Sequence, residues 1–118
     1  MADKPKHFAL RFNVEHRESF NNIKDGSKRV ETRAATVKYR NIKKGDCITF
    51  TCGCAKFSKT VRKATIFRTI ASLLKKYKPN DVRPDVRTKK EMIDIWHSFP
   101  NYKEKIAMHG LIALEFEK

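Results

Sequence analysis

The chain has 118 residues, room for one domain, and sets 27 Lys and Arg against 13 Asp and Glu for a net charge of +14. Its share of apolar side chains, 40% with 10% aromatic, is that of a folded protein, and a domain this size holds a core without metal or disulfide staples. The cationic excess opposes compaction and attracts polyanions, which points to nucleic acid and away from a merely solubilising surface. No segment approaches the run of about 18 apolar residues that a spanning helix needs. Met1 to Lys6 has no apolar signal core, and no lipidation motif stands at either end, so a cytoplasmic protein with no membrane association is expected.

Residues 1–6 read as a flexible tail and 7–118 as one domain. His7 to Phe12 alternates as a strand. From Glu15 to Lys24, Ser19, Phe20 and Ile23 recur at helical spacing, with Gly26 where a helix C-cap belongs. Lys28 to Arg33 reads as a second strand, running into a basic loop through Arg40. Gly45-Asp46 is a turn, Cys47 to Thr51 a third strand, and Phe57 to Phe67 a longer fourth one after a turn at Gly53. Ile70, Leu73, Leu74 and Tyr77 then mark a helix over 69–78 with one buried stripe. Pro79 and Pro84 bracket a polar loop. Met92, Ile93, Ile95, Trp96 and Phe99 mark a helix from Thr88, its N-cap, to Pro100. A helical turn over 102–108 leads to Gly110 and a closing strand, Leu111 to Phe116. Strands interrupted by helices without a regular βαβ rhythm argue for an α+β barrel.

Cys47, Cys52 and Cys54 have a spacing that fits neither a zinc knuckle nor a ribbon, and His97 and His109 are lone histidines. No metal or cofactor is expected.

Gly26-Ser27-Lys28-Arg29-Val30-Glu31-Thr32-Arg33 is the most informative stretch. It resembles the GxKxxExR signature of the ASCH family at each fixed position, Gly26, Lys28, Glu31 and Arg33. Arg40 to Asp46 is similar to the family's turn before its third strand. The helices of Leu73-Leu74 and Ile95-Trp96 and the strand after Gly110 resemble its remaining landmarks, so the likeness covers about residues 7 to 117. The resemblance implies a small PUA-like β-barrel with helices covering its openings and a cleft beside the signature. It also implies nucleic-acid binding, RNA before DNA, and, in some branches, cleavage of RNA or removal of acyl groups from acetylated cytidine.

The residues themselves suit a nucleotide. On a strand Glu31 and Arg33 share a face, which Lys28 joins only if the strand entry is irregular. Two cations answer a phosphate, and a carboxylate accepts from an exocyclic amine or holds the lysine. The plainer reading is a buried Glu31–Arg33 ion pair that fixes a barrel corner. Arg29, Lys38, Arg40, Lys43 and Lys44 flank the signature as a candidate phosphate track, and Tyr39 is a candidate stacking ring. Lys56, Lys59, Arg62 and Lys63 occupy the next hairpin, and a third basic cluster runs from Lys75 through Arg83, Arg87 and Lys90. Trp96 and Phe99 are expected to pack their helix on the barrel.

As an enzyme the chain would use Lys28 and Glu31. In the resembling amidohydrolases a Thr stands where this chain has Glu31, and Thr32 falls on the opposite strand face. Their downstream carboxylate has only Glu91 and Asp94 as candidates. A ribonuclease would take Glu31 as base with Lys28 and Arg33 stabilising the phosphorane. The expectation is therefore a monomeric RNA-binding module, with a hydrolase as the alternative.

Overall fold

Five strands form one sheet in the order β1-β3-β4-β5-β2, so β1 (His7–Phe12) and β2 (Val30–Ala34) are its two edges. The computed structural model describes residues 4–117. Three residues of the expected tail therefore lie outside it, while Lys6 is tied to the body: its N–H donates to the Asp46 carboxylate and its carbonyl accepts from Cys47. β1 lies parallel to β3 (Cys47–Cys52), and all other pairings are antiparallel. β4 (Ala55–Phe67) is long enough to serve two neighbours, β3 along its first half and β5 (Leu111–Phe116) along its second, with a register shift between Val61 and Lys63. The irregularity leaves Arg62 without a ladder partner and bends the strand, which curls the sheet. The result is a half-barrel, open between β1 and β2.

The sheet has a core on each face, and β5 divides them. Ile112 and Leu114 join Leu10, Phe12, Phe20, Ile23, Ile48, Phe50 and Val61 inside the curl. Leu111 and Ala113 face the other way, onto a helical layer with Leu73, Leu74, Val82, Val86, Met92, Trp96 and Ile106. Burial on both faces explains why β5 reads as a continuous apolar run rather than an alternating one. The helical layer is α2 (Ile70–Lys76), α3 (Pro79–Val82), α4 (Lys89–Ser98) and α5 (Tyr102–His109). The Tyr77 hydroxyl, at the end of α2, donates to the Glu115 carboxylate at 2.6 Å and pins this layer to β5. The Thr88 hydroxyl accepts from the Glu91 N–H, as expected of that N-cap.

Two expectations need correction. The segment between Pro79 and Pro84 is not a polar loop: Pro79 occupies the first turn of α3, where its missing N–H costs nothing, and Val82 is a core residue, as is Val86 just beyond Pro84. The first helix, α1 (Arg17–Asp25), starts later than expected, because Val14–His16 forms a separate 3-10 turn.

Gly26 caps α1 in the left-handed region, φ +88°, with nothing within 4 Å of where a Cβ would stand. Gly110 also has positive φ, +77°, but a Cβ there would lie 2.3 Å from the Phe67 carbonyl oxygen. Gly26→Ala should therefore cost about 1 kcal/mol, the conformational penalty alone. Gly110→Ala forces strand β4 away from the α5–β5 corner and should cost about 3 kcal/mol or more. Denaturant unfolding of the two variants checks the ranking, and equal midpoints would contradict it.

Candidate functional site

The Gly26–Arg33 stretch, which resembles the family signature, begins where α1 ends. After the Gly26 cap, Ser27 donates through its N–H and its hydroxyl to Asp25, and the Lys28 N–H returns to the Asn22 carbonyl at 2.9 Å. Residues 27–29 are thus wound against the helix and not yet strand, and this irregular entry turns Lys28 toward Glu31. In the β2–β5 ladder Glu31 stands opposite Leu114 and Arg33 opposite Ile112, so both project from the barrel-core face. Thr32, opposite Ala113, projects to the helical layer, where its hydroxyl accepts from the Trp96 indole N–H at 3.1 Å.

Glu31 is the centre of the arrangement. Lys28 Nζ donates to its Oε1 at 2.8 Å, the Thr32 N–H to the same oxygen at 3.0 Å, and Arg33 Nε to Oε2 at 3.3 Å. Lys28 Nζ also donates to Ser19 Oγ on α1 at 2.9 Å. Lys28 and Glu31 are only 7% and 3% exposed. Burial by itself would push the Glu31 carboxyl up, but Lys28, Arg33 and the hydrogen bonds outweigh it and hold the group below its ordinary value of 4.5. The Arg33 guanidinium lies 4.9 Å from the centre of the Phe12 ring and 5.8 Å from that of Tyr39, and its Nη2 reaches the Arg11 carbonyl on β1 at 3.5 Å. One side chain thereby spans the open edge of the half-barrel.

A cleft of about 320 Å³ opens here. Arg11, Phe12 and Asn13 bound it from the end of β1, and Lys28, Glu31, Thr32 and Arg33 from the signature. The opposite wall comes from the helical layer: Arg83, Met92, Ile95, Trp96, Phe99 and Tyr102. His16, Phe99 and Tyr102 meet edge to face in succession, with ring centres 5.9 and 5.3 Å apart. The Tyr102 oxygen accepts from the Ala34 N–H at 3.1 Å, which leaves its proton free to donate. Burial pushes the Tyr102 phenol up, so it remains a donor at neutral pH. The dimensions and the mix of rings with a few convergent polar groups are those of a ligand site.

Of the residues singled out in the sequence, Lys28, Glu31 and Arg33 come together and line the cleft. The others lie elsewhere. Arg29 is exposed and pairs with Asp81 at 3.4 Å. Tyr39 is half-buried against the barrel core, with Lys38 Nζ 5.3 Å from the centre of its ring. Arg40 is exposed. Lys43 and Lys44 border a separate recess with Lys4, Lys6 and the buried Asp46. In the next hairpin, Lys59 donates to the Ile23 carbonyl and Arg62 pairs with Glu115. Glu91 and Asp94 bond to Thr88 and Lys90 on the exposed face of α4, outside the cleft. Arg83, Phe99 and Tyr102 also line the cleft, though the sequence ties none of them to the signature, because each is remote from it and no spacing links them to it. The three cysteines are free thiols, and among the described residues no cluster of His, Cys, Asp or Glu could hold a metal ion. No helix among them is long and apolar enough to cross a membrane.

Because Glu31 titrates lower in the folded chain than unfolded, its contribution to stability is complete above about 4.5 and disappears as the pH falls through its folded value. Glu31→Gln leaves one buried and one half-buried cation facing a neutral amide and should cost about 3 kcal/mol at pH 7. The stability gap between wild type and E31Q should narrow below pH 4.5. Urea titrations of both proteins across that range check this, and a gap independent of pH would contradict it.

Comparison with known proteins agrees with this architecture. The chain is similar to the hypothetical protein PH0355, at 27% identity and a TM-score of 0.80, over 94% of this chain and 97% of that one. It is also similar to protein PF0455 from Pyrococcus furiosus, at 28% identity and a TM-score of 0.72, over 94% and 96% of the two chains. No curated protein matches it. The model of the ASCH domain matches residues 15–118, from the 3-10 turn before α1 through β5. The chain belongs to the ASCH domain family.

Proposed function

We propose that this protein is a nucleic-acid-binding module that takes RNA in preference to DNA and holds it at the cleft beside Lys28, Glu31 and Arg33. The observation that carries the reading is the composition of that cleft. Four cationic residues and only two carboxylates line it, next to a wall of aromatic rings, in a chain of net charge +14. The field brings the polyanion to the surface, and the rings accept a base. A base reaches such a recess only when splayed from its neighbours, a state that single-stranded RNA adopts readily and duplex DNA resists. Lys38, Arg40, Lys43 and Lys44, away from the cleft, would contact phosphates along the flanking strand without reading sequence.

Turnover is the weaker reading. A general base needs a carboxylate oxygen free to face the proton it takes. Both oxygens of Glu31 are instead occupied by Lys28, Arg33 and the Thr32 N–H. The Thr32 hydroxyl is engaged by Trp96 and stands on the opposite strand face.

Binding of a single-stranded RNA should weaken about 50-fold between roughly 50 and 200 mM salt, the effect of displacing counterions from about four phosphates. Phe99→Ala should cost about 1–3 kcal/mol of affinity and leave the salt slope unchanged. Lys44→Gln should lower the slope instead. Fluorescence anisotropy with labelled RNA measures both, and gel analysis of the same mixtures scores breakdown. Binding that ignores salt, or an F99A protein with unaltered affinity, would reject the cleft as the site. RNA breakdown abolished in E31Q with binding retained would establish the hydrolase.

A further inference from the structure

Among the described residues, one buried side-chain nitrogen or oxygen lacks a hydrogen-bond partner, Nε of Arg83. Buried donors are almost always satisfied, so an orphan in a native fold calls for a reason. Arg83 lines the cleft, with its side chain 28% exposed. Its nearest counter-charge is the Asp85 carboxylate, 3.6 Å from Nε and on a side chain 60% exposed. A pair that open to water and that long binds weakly and yields to a better acceptor. The backbone beneath is fixed: the Arg83 N–H caps α3 on the Pro79 carbonyl, and the Arg83 carbonyl accepts from Val86, which is buried in the core. The residue is therefore anchored through its backbone, and its guanidinium is held only by the long pair with Asp85.

Of the other three cations lining the cleft, Arg11 is exposed, while Lys28 and Arg33 differ in this respect. Lys28 donates to Glu31 and Ser19, and Arg33 to Glu31 and the Arg11 carbonyl. The carboxylate between them cancels one of their two charges. A phosphate landing on this pair competes with Glu31, whereas at Arg83 it competes only with the exposed Asp85 for a planar fork of N–H groups suited to two oxygens at once.

We propose that Arg83 is the phosphate receptor of the cleft and that the ligand it selects is a phosphorylated nucleotide, with its base against the Phe99–Tyr102 wall, rather than a free nucleoside. The proposal rests on the nucleic-acid reading and assigns the phosphate to the helical layer instead of to the signature. Arg83→Met is expected to keep or raise the thermal midpoint, since it removes an unsatisfied buried donor.

The test measures affinity by calorimetry for a short single-stranded RNA, for each ribonucleoside monophosphate and for its parent nucleoside. Wild type should prefer monophosphate over nucleoside by about ten-fold or more, the worth of a charged, two-point contact. Arg83→Gln should abolish that preference and weaken RNA binding about ten-fold, and Arg83→Lys, which keeps the charge but not the fork, should fall between. Lys105→Gln, the same charge change on the exposed face of α5, should shift RNA affinity by less than about two-fold. If R83Q retains the monophosphate preference while RNA still binds, the assignment of Arg83 is overturned and the nucleic-acid reading stands. If wild type binds neither RNA nor any monophosphate, both fall.

Discussion

A carboxylate inside a barrel has to be neutralised in place, and the site follows from how this chain does it. Leaving Glu31 bare in the interior would cost several kcal/mol. Lys28, Arg33 and the Thr32 N–H all converge on it, and each cation draws in a further element. Lys28 brings the turn after Gly26 against Ser19 of α1, and Arg33 covers Phe12 and reaches the Arg11 carbonyl of β1. The sheet has two edges, β1 and β2, that no ladder joins. Bare edges invite foreign strands. Here charged side chains bridge the gap where a sixth strand would otherwise close it. The opening consequently stays accessible, and a cleft stands where a closed barrel would have wall.

That cleft needs a second side, which the two-faced burial of β5 supplies. Leu111 and Ala113 turn away from the barrel and demand a covering layer, so α2 to α5 pack there. The layer is tied to β2 at two points, Trp96 to the Thr32 hydroxyl and Tyr102 to the Ala34 N–H. Both ties lie within the signature strand. The aromatic wall is thus set by the same five residues that carry Glu31 and Arg33, which fixes the spacing between rings and charges. Sites held by packed elements in this way keep their geometry better than sites on loops.

Much of this was legible in the sequence, and the failures have a common cause. Strands β1 and β5 ran over the residues expected, since alternation and a continuous apolar run are local signals. The meeting of Lys28 with Glu31 and Arg33 could be anticipated only conditionally, because it depends on an irregular turn rather than on strand period. Arg29, Lys43 and Lys44 were grouped with the signature by closeness along the chain, and the fold sends them to other surfaces. Arg83, which the sequence places only in the third basic cluster, shows the converse. It sits in a stretch that two prolines and several polar residues make resemble a loop, while Val82 and Val86 quietly bury it against the helical layer. Proximity in sequence predicts contact within an element and little beyond it.

The hydrogen-bonding inventory narrows what the cleft can hold. Lys28, Arg33, Arg83 and the Tyr102 hydroxyl all donate, and the buried carboxylate among them already accepts from three partners. A ligand rich in acceptors, such as a phosphate or a base carbonyl, finds partners here, while an exocyclic amine finds few. Of the two roles the sequence offers Glu31, holding the lysine matches its surroundings, and accepting from an exocyclic amine suits them least. The same bonds bear on catalysis. Whatever lowers the cost of burying Glu31 also lowers its basicity, so the bonds that clamp the open edge of the barrel oppose its taking a proton. In this chain its three bonds make it a clamp.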